Sequence, residues 1–171
     1  MSSRFDAERE IADYFANAGR FAGAADRYVG MAAGGEADEL VDFLAQRAAD
    51  EQLALVRSLA RVAVSRERRC FDALSLLLRL VLRGFGDAVR CAQPVLEAEL
   101  LREDNLADWL AQPDWPAPDD PRMGWRYAAG LIAILSCLGS SRVEAIVATI
   151  GASATSQHFR ETARRNRGMR V

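Results

Sequence analysis

The chain has a single histidine, His158, and it is the first residue to consider for catalytic chemistry. Glu161 follows it by three residues, and an imidazole with a carboxylate one helical turn away can act as a general base. Such a base needs a nucleophile to activate. The serine pair Ser140-Ser141 follows Gly139 but lacks the glycine-x-serine-x-glycine turn that exposes a catalytic serine. We therefore identify no catalytic set around the histidine.

The acidic residues between positions 97 and 104 are the main candidates for metal binding. Glu97, Glu99, Glu103 and Asp104 form an acidic face of a predicted helix. Metal sites in carboxylate-rich helical bundles combine such glutamates with a Glu-x-x-His motif from facing helices, and the sequence contains no such motif. The one histidine also leaves no His-Cys cluster for zinc. We expect no metal and no cofactor.

The three cysteines, Cys70, Cys91 and Cys137, form no closely spaced pair. This spacing argues against a disulfide scaffold and favours a reducing compartment. Cys70 follows Arg68 and Arg69, and cationic neighbours can activate a thiol. A small core residue is the more common role for such a cysteine. Because no catalytic set emerges, we predict that the protein is not an enzyme.

The sequence contains no lysine, and all 22 basic residues are arginines. This excludes a Schiff-base lysine and a phosphate-loop lysine. Codon bias in a GC-rich genome is the preferred explanation. The alternative is selection in a protein that works inside a eukaryotic host and offers no side-chain amine for ubiquitin attachment. In either case arginine suits interfaces, because its planar guanidinium pairs with carboxylates in a fixed geometry.

The elements that position these residues are predicted to be helices. Apolar residues recur with helical spacing, as at Ile11, Tyr14, Phe15 and Ala18, and glycine or proline occurs mostly between such segments. The pattern predicts an all-α fold of eight to ten short helices, arranged as stacked helical hairpins or as an irregular bundle. Residues 112–121 hold four of the five prolines and form the predicted loop.

Length and apolar content predict one domain over residues 1–171, with a substantial core. Its end, 160–171, is predicted to be a basic helix or tail, most simply a solvated helix that frays. No apolar signal-peptide segment precedes the charged N-terminal pattern. The longest uncharged stretches, 127–141 and 145–159, are shorter than the roughly 18–20 residues that a membrane span needs. We expect a soluble cytoplasmic protein, or one in the host cytoplasm if it is translocated or viral.

The segment Gly19–Tyr28 resembles the turn of a tetratricopeptide repeat. Its glycine is followed by an aromatic residue at +2, alanine at +5 and an aromatic residue at +9. A weaker echo occurs 65 residues later at Gly84–Ala88, close to twice the roughly 34-residue period of that family. The resemblance implies stacked helical hairpins.

A second segment resembles the B-cell-lymphoma family of apoptosis regulators. The residues that fit the family's leucine-x-x-x-glycine-aspartate helix are Leu78, Leu82, Phe85, Gly86, Asp87 and Val89. Leu131–Ser136 is similar to the family's central helix, but the asparagine-tryptophan-glycine-arginine signature is missing, with Trp125 and Arg126 standing slightly early. The resemblance implies a groove near Leu82 and Arg126 that binds amphipathic helices of partner proteins.

Charge is segregated into four blocks along the chain. The net formal charge is −5 over residues 1–60, +4 over 61–93, −7 over 94–121 and +6 over 122–171. Complementary charged patches steer association and fix orientation, so the blocks could meet within one molecule or between copies. The arginine-rich tail could contact phosphates. The rest of the chain is acidic, which argues against a protein whose main role is to bind nucleic acid.

We therefore predict a protein–protein interaction module of the adaptor, chaperone, immunity or host-directed effector type. The alternatives are a self-assembling scaffold or coat-type subunit that uses the charge blocks, and a helix-groove binder. The candidate partner-binding residues are Trp109, Trp115, Trp125, Arg126, Leu82 and Asp87. Tryptophan and arginine are the residues that interface hot spots favour. Trp109 and Trp115 flank the proline-rich loop and are expected to be exposed, whereas a core position is expected for Trp125.

Overall fold

The computed structural model describes residues 6–17, 41–66, 69–114 and 124–167. All regular secondary structure in these ranges is helical, and the predicted all-α class is confirmed. The predicted turn at Gly19–Tyr28, residues 115–121 of the proline-rich loop and residues 168–171 of the tail lie outside them. The chain divides into two compact units, Met1–Ala92 and Gln93–Val171, each described by itself below. The expectation of a single domain stays a prediction.

In the first unit, the long helix α3 packs against the elements on either side of it in sequence. The elements are α1 (Ala7–Asn17), α2 (residues 41–45), α3 (Ala49–Val64), α4 (Cys70–Leu80), a segment kinked at Gly84 (Val81–Phe85), α5 (Gly86–Val89) and a 3-10 turn (Arg90–Ala92). Helices α1, α4 and α5 and the 3-10 turn all contact α3. Leu55, Val56, Leu59 and Ala63 recur at helical spacing along α3 and are fully buried, so this stripe forms much of the core.

In the second unit, α8 is the central helix. The elements are α6 (Gln93–Leu100), α7 (Glu103–Ala111), α8 (Gly124–Cys137), α9 (Ser141–Ser153) and α10 (Gln157–Asn166). Helices α6, α7, α9 and α10 all contact α8, and 11 of its 14 residues are buried. A helix surrounded in this way must be apolar on all sides, which explains the uncharged run that begins after its first turn.

A tight turn lets α9 pack back on α8. Gly139 takes a left-handed conformation with φ of 72°. Its N–H donates to the Ser136 carbonyl, and the Ser140 N–H donates to the Leu135 carbonyl, both at 3.0 Å. These two bonds form a Schellman motif, in which glycine avoids the strain that a Cβ would bring.

The segment predicted as a basic helix or tail over 160–171 is helical as far as residue 166, where α10 ends, and one side of this helix packs against the second unit. Phe159 and Ala163 of α10 are buried, and the helix contacts both α8 and α9. Two of its arginines have a local role: Arg160 donates to the Ala154 carbonyl, and Arg164 donates to the Gly151 carbonyl at 2.9 Å. The last carbonyls of a helix lack intrahelical partners, and basic side chains supply them here.

Replacement of Phe159 by alanine tests how strongly α10 is held. We expect Phe159→Ala to lower the free energy of unfolding by about 3–5 kcal/mol, because it leaves a cavity in a fully buried site. Arg165→Ala, on the exposed side of the same helix, is the control and should change it by about 0.5 kcal/mol or less. Urea unfolding followed by circular dichroism gives both values. Equal effects of the two substitutions would contradict a packed α10.

Candidate functional site

Trp109 lies in the core of the second unit, so the expectation that it is exposed is wrong. Only 1% of its surface is accessible, and the centroid of its ring lies 6.2 Å from that of Tyr127. The inward stripe of this segment is set by Asn105, Trp109 and Gln112, which recur at helical spacing and are all buried. Direct contact of a partner with this side chain would require the unit to open.

Trp125 is also a core residue, as expected. Its ring stacks on Phe159 of α10 with 5.5 Å between centroids, and its Nε1–H donates to the Asp114 carbonyl at 3.2 Å. The neighbouring Arg126 is exposed, with its guanidinium carbon 5.8 Å from the Trp125 ring. Trp115 lies outside the described residues. Arg126 is thus the member of this group that the structure places at the surface.

Leu82 and Asp87 follow α4, and both face solvent. Leu82 is 49% exposed, and the carboxylate of Asp87 lies 3.5 Å from Nε of Arg90 in an exposed ion pair. The helical path breaks after Leu82, at Gly84, which has a left-handed φ of 92°. The partner-binding role of both residues stays a prediction.

The sequence analysis missed a second exposed apolar face, on α6. Val95 is 44% and Leu101 39% exposed, and Pro94 and Ala98 are exposed as well. These four residues occupy about one third of the helix circumference. The other side of α6 contacts α8. The sequence contained the evidence for this exposed face, because a helix with apolar residues on two sides must either be buried all round or leave one apolar face open.

The polar residues with catalytic potential meet at the start of α10. Ser156 Oγ donates to Asp114 Oδ1 at 2.7 Å, and the backbone N–H of His158 donates to the same oxygen at 3.1 Å. His158 Nδ1 lies 3.3 Å from that oxygen. The sequence had paired His158 with Glu161, which instead accepts from Gln157 at 3.1 Å. The carboxylate that contacts the imidazole is therefore 44 residues away in sequence.

This arrangement is a helix cap and differs from a serine hydrolase triad. In a triad the serine hydroxyl hydrogen-bonds to the imidazole, which then removes its proton. Here the Ser156 hydroxyl donates to the carboxylate itself and accepts the Phe159 N–H at 3.0 Å. Ser156 is also 1% exposed. The three side chains hold the N-terminus of α10 against the end of the α7 segment.

The cap changes the acidity of Asp114. Hydrogen bonds from the Ser156 hydroxyl and from the His158 backbone lower the pKa of this carboxyl from 3.8 to about 2. The side chain of Asp114 retains 36% of its exposure, so solvent screens part of the effect. Its ionised form is the one that the folded state stabilises.

A second carboxylate holds the serine at the start of α9. Glu97 Oε1 accepts the Ser140 hydroxyl at 2.6 Å and Gln93 Nε2 at 2.7 Å, and Oε2 lies 3.7 Å from Nη1 of Arg142. These hydrogen bonds lower the pKa of Glu97 although its burial acts in the opposite direction. Part of the predicted acidic face therefore anchors α6 to α9.

The cysteines are buried to different degrees. Burial raises the pKa of the Cys70 thiol to about 12, and it also raises the pKa values of Cys91 and Cys137. Cys70 is fully buried, so its arginine neighbour does not produce a reactive thiolate. This places Cys70 in the core role.

No protein-family model, curated protein or solved structure matches this chain. Within the ranges that the structure describes, no helix is both long and apolar enough to cross a bilayer. In the same ranges, no group of three or more histidine, cysteine, aspartate or glutamate side chains is arranged to hold a metal ion.

The pH dependence of stability tests the cap on α10. The folded-state pKa of Asp114 is below its ordinary value, so its contribution is present above pH 3.8 and is lost as the pH falls towards 2. We expect the difference in unfolding free energy between the wild type and Asp114→Asn to shrink over this interval. Urea unfolding at several pH values measures it. Asp104→Asn, an exposed position on α7, is the matched control, and a wild-type-like profile for Asp114→Asn would contradict the cap.

Proposed function

We propose that this chain is a protein-binding module that acts without catalysis, and that a partner docks on the exposed apolar face of α6. The exposure of Val95 and Leu101 carries this proposal. Full burial of such a side chain from full exposure is worth about 1.5–3 kcal/mol, so a protein that covers the part still exposed gains about 0.6–1.3 kcal/mol from each of the two. The serine, carboxylate and imidazole groups described above serve as helix caps, which leaves apolar contact as the better supported activity.

The charges beside this face indicate the chemistry of the partner. Arg102 pairs with Glu99 at 3.6 Å, and its side chain is 58% exposed. Arg142 pairs with Glu97 and is 69% exposed. An apolar face with exposed guanidinium groups at its edges is complementary to an amphipathic helix whose apolar stripe is flanked by acidic residues.

The helix-groove binder is a second candidate function, supported by two observations. Helix α8 contains the segment that resembles the central helix of the B-cell-lymphoma family, and most of its residues are buried. Leu82, which the resemblance associates with a groove, is exposed in the first unit. Leu82 belongs to the first unit and α6 to the second, so substitutions at the two places report separately on the two surfaces.

The self-assembling subunit is less well supported. The charge-block argument requires acidic and basic segments to meet between copies. Glu97 of the acidic 94–121 block and Arg142 of the basic 122–171 block instead pair within one molecule. Some of the opposite charges of these blocks are therefore already paired within the second unit.

Site-specific crosslinking in cells tests the docking face on α6. We expect a photoreactive phenylalanine analogue at position 95 to capture a partner protein. The same analogue at Ala148, an exposed position on α9, is the matched control and should capture none. Val95→Glu combined with Leu101→Glu should reduce partner binding at least about tenfold, because it places charges in an apolar contact. Equal capture at both positions, or unchanged binding of the double variant, would contradict the proposal.

Substitution of Leu82 separates the second candidate from the first. If partner helices bind in a groove near this residue, Leu82→Glu should abolish binding of an amphipathic helical peptide measured by fluorescence anisotropy. A scrambled peptide of the same composition is the control for nonspecific adsorption. Binding that survives Leu82→Glu but is lost in the α6 double variant would favour the α6 face.

A further inference from the structure

An open cavity of about 490 Å³ lies between the first turn of α1 and the middle of α3 in the first unit. Its described lining consists of Asp6, Ala7, Glu8, Ala54, Arg57, Ser58 and Arg61. The α3 residues recur with helical spacing, so they share the side of α3 that faces the start of α1. The volume is in the range of cavities that hold small ligands.

Three of the charged groups in the cavity are already engaged. Asp6 Oδ1 accepts the backbone N–H groups of Glu8 at 3.1 Å and of Arg9 at 3.2 Å, and thereby caps α1. The Glu8 carboxylate pairs with the guanidinium of Arg61. These contacts hold the α1 side of the cavity in place.

Two neighbouring residues of α3, Arg57 and Ser58, bring hydrogen-bond donors to the lining of the cavity. Ser58 is only 6% exposed. Arg57 is exposed and lies near the Cys91 thiol. Because Ser58 lines the cavity, its hydroxyl can donate a hydrogen bond to a group that binds there. An oxyanion in the cavity would accept from both side chains.

We propose that this cavity binds a carboxylate group, with the Ser58 hydroxyl and the Arg57 guanidinium as its donors. The planar guanidinium can bind both carboxylate oxygens, which gives the interaction a defined geometry. The carboxylates of Asp6 and Glu8 balance the charges of the two arginines, so a monoanionic group is favoured over a dianionic phosphate. A small organic acid and the C-terminus of a peptide share this chemistry.

Titrations of the isotope-labelled full chain, followed by NMR, test the assignment. N-acetylglycine represents a peptide C-terminus, succinate a small organic acid, and inorganic phosphate the dianion. We expect saturable shifts of the Ser58 amide and Arg57 Nε–H signals with at least one carboxylate, with a dissociation constant on the order of 1 mM. The uncharged N-acetylglycinamide should give none. Tighter binding of N-acetylglycine would assign the site to peptide termini, and tighter binding of succinate to small acids.

Substitutions then locate the binding group. Ser58→Ala should weaken carboxylate binding about tenfold, the value of one hydrogen bond to a charged group, and Arg57→Gln should abolish it. The matched controls are Ser153→Ala on α9 and Arg165→Gln on α10, both exposed and far from the cavity in sequence. Circular dichroism checks that each variant folds. If Ser58→Ala does not fold, the comparison of N-acetylglycine with its amide in the wild type decides.

Three results would overturn the proposal. One is the absence of saturable shifts with either carboxylate. Another is binding of phosphate more tightly than both carboxylates. The third is retention of carboxylate binding in Arg57→Gln.

Discussion

A chain built from short helices has many helix ends, and each end leaves backbone N–H or C=O groups without intrahelical partners. This constraint accounts for where the polar side chains of the protein lie. Asp6 caps α1, the Gln112 side chain accepts the Trp125 N–H at the start of α8, and Ser156 with Asp114 caps α10. At the other ends, the Gln52 amide donates to the Leu44 and Arg47 carbonyls. The arginines of α10 do the same for the end of α9.

The same constraint limits the chemistry available to these groups. Ser156 donates to a carboxylate, accepts a backbone N–H and is only 1% exposed, so a substrate cannot reach its hydroxyl in the folded unit. Glu97, with hydrogen bonds from Ser140 and Gln93, is similarly committed to holding two helices together. Candidate functions must therefore come from side chains that the caps do not use. The exposed apolar face of α6 and the two donors beside the α1 cap are such groups.

Oppositely charged blocks pair within the second unit, and this pairing cannot be read from their positions in the sequence. Net charge along a chain does not reveal whether opposite charges meet within one molecule. Arg142 approaches Glu97 across 45 positions of sequence, and both helices of this pair belong to the same unit. Such contacts orient helices more than they stabilise them, because the exposed arginine is screened by solvent. Arg164 of the basic block donates to a backbone carbonyl, so a count of acidic partners alone would miss this contact.

The sequence by itself determined the all-α class, because helical periodicity is a local property of the backbone. It also placed Trp125 in the core. It misplaced Trp109 and missed the open face of α6, because both helices carry apolar residues on more than one side. Only the packing against α8 decides which side is covered. The pairing of Asp114 with His158 across 44 positions likewise depends on the tertiary structure, since no local pattern connects residues so far apart.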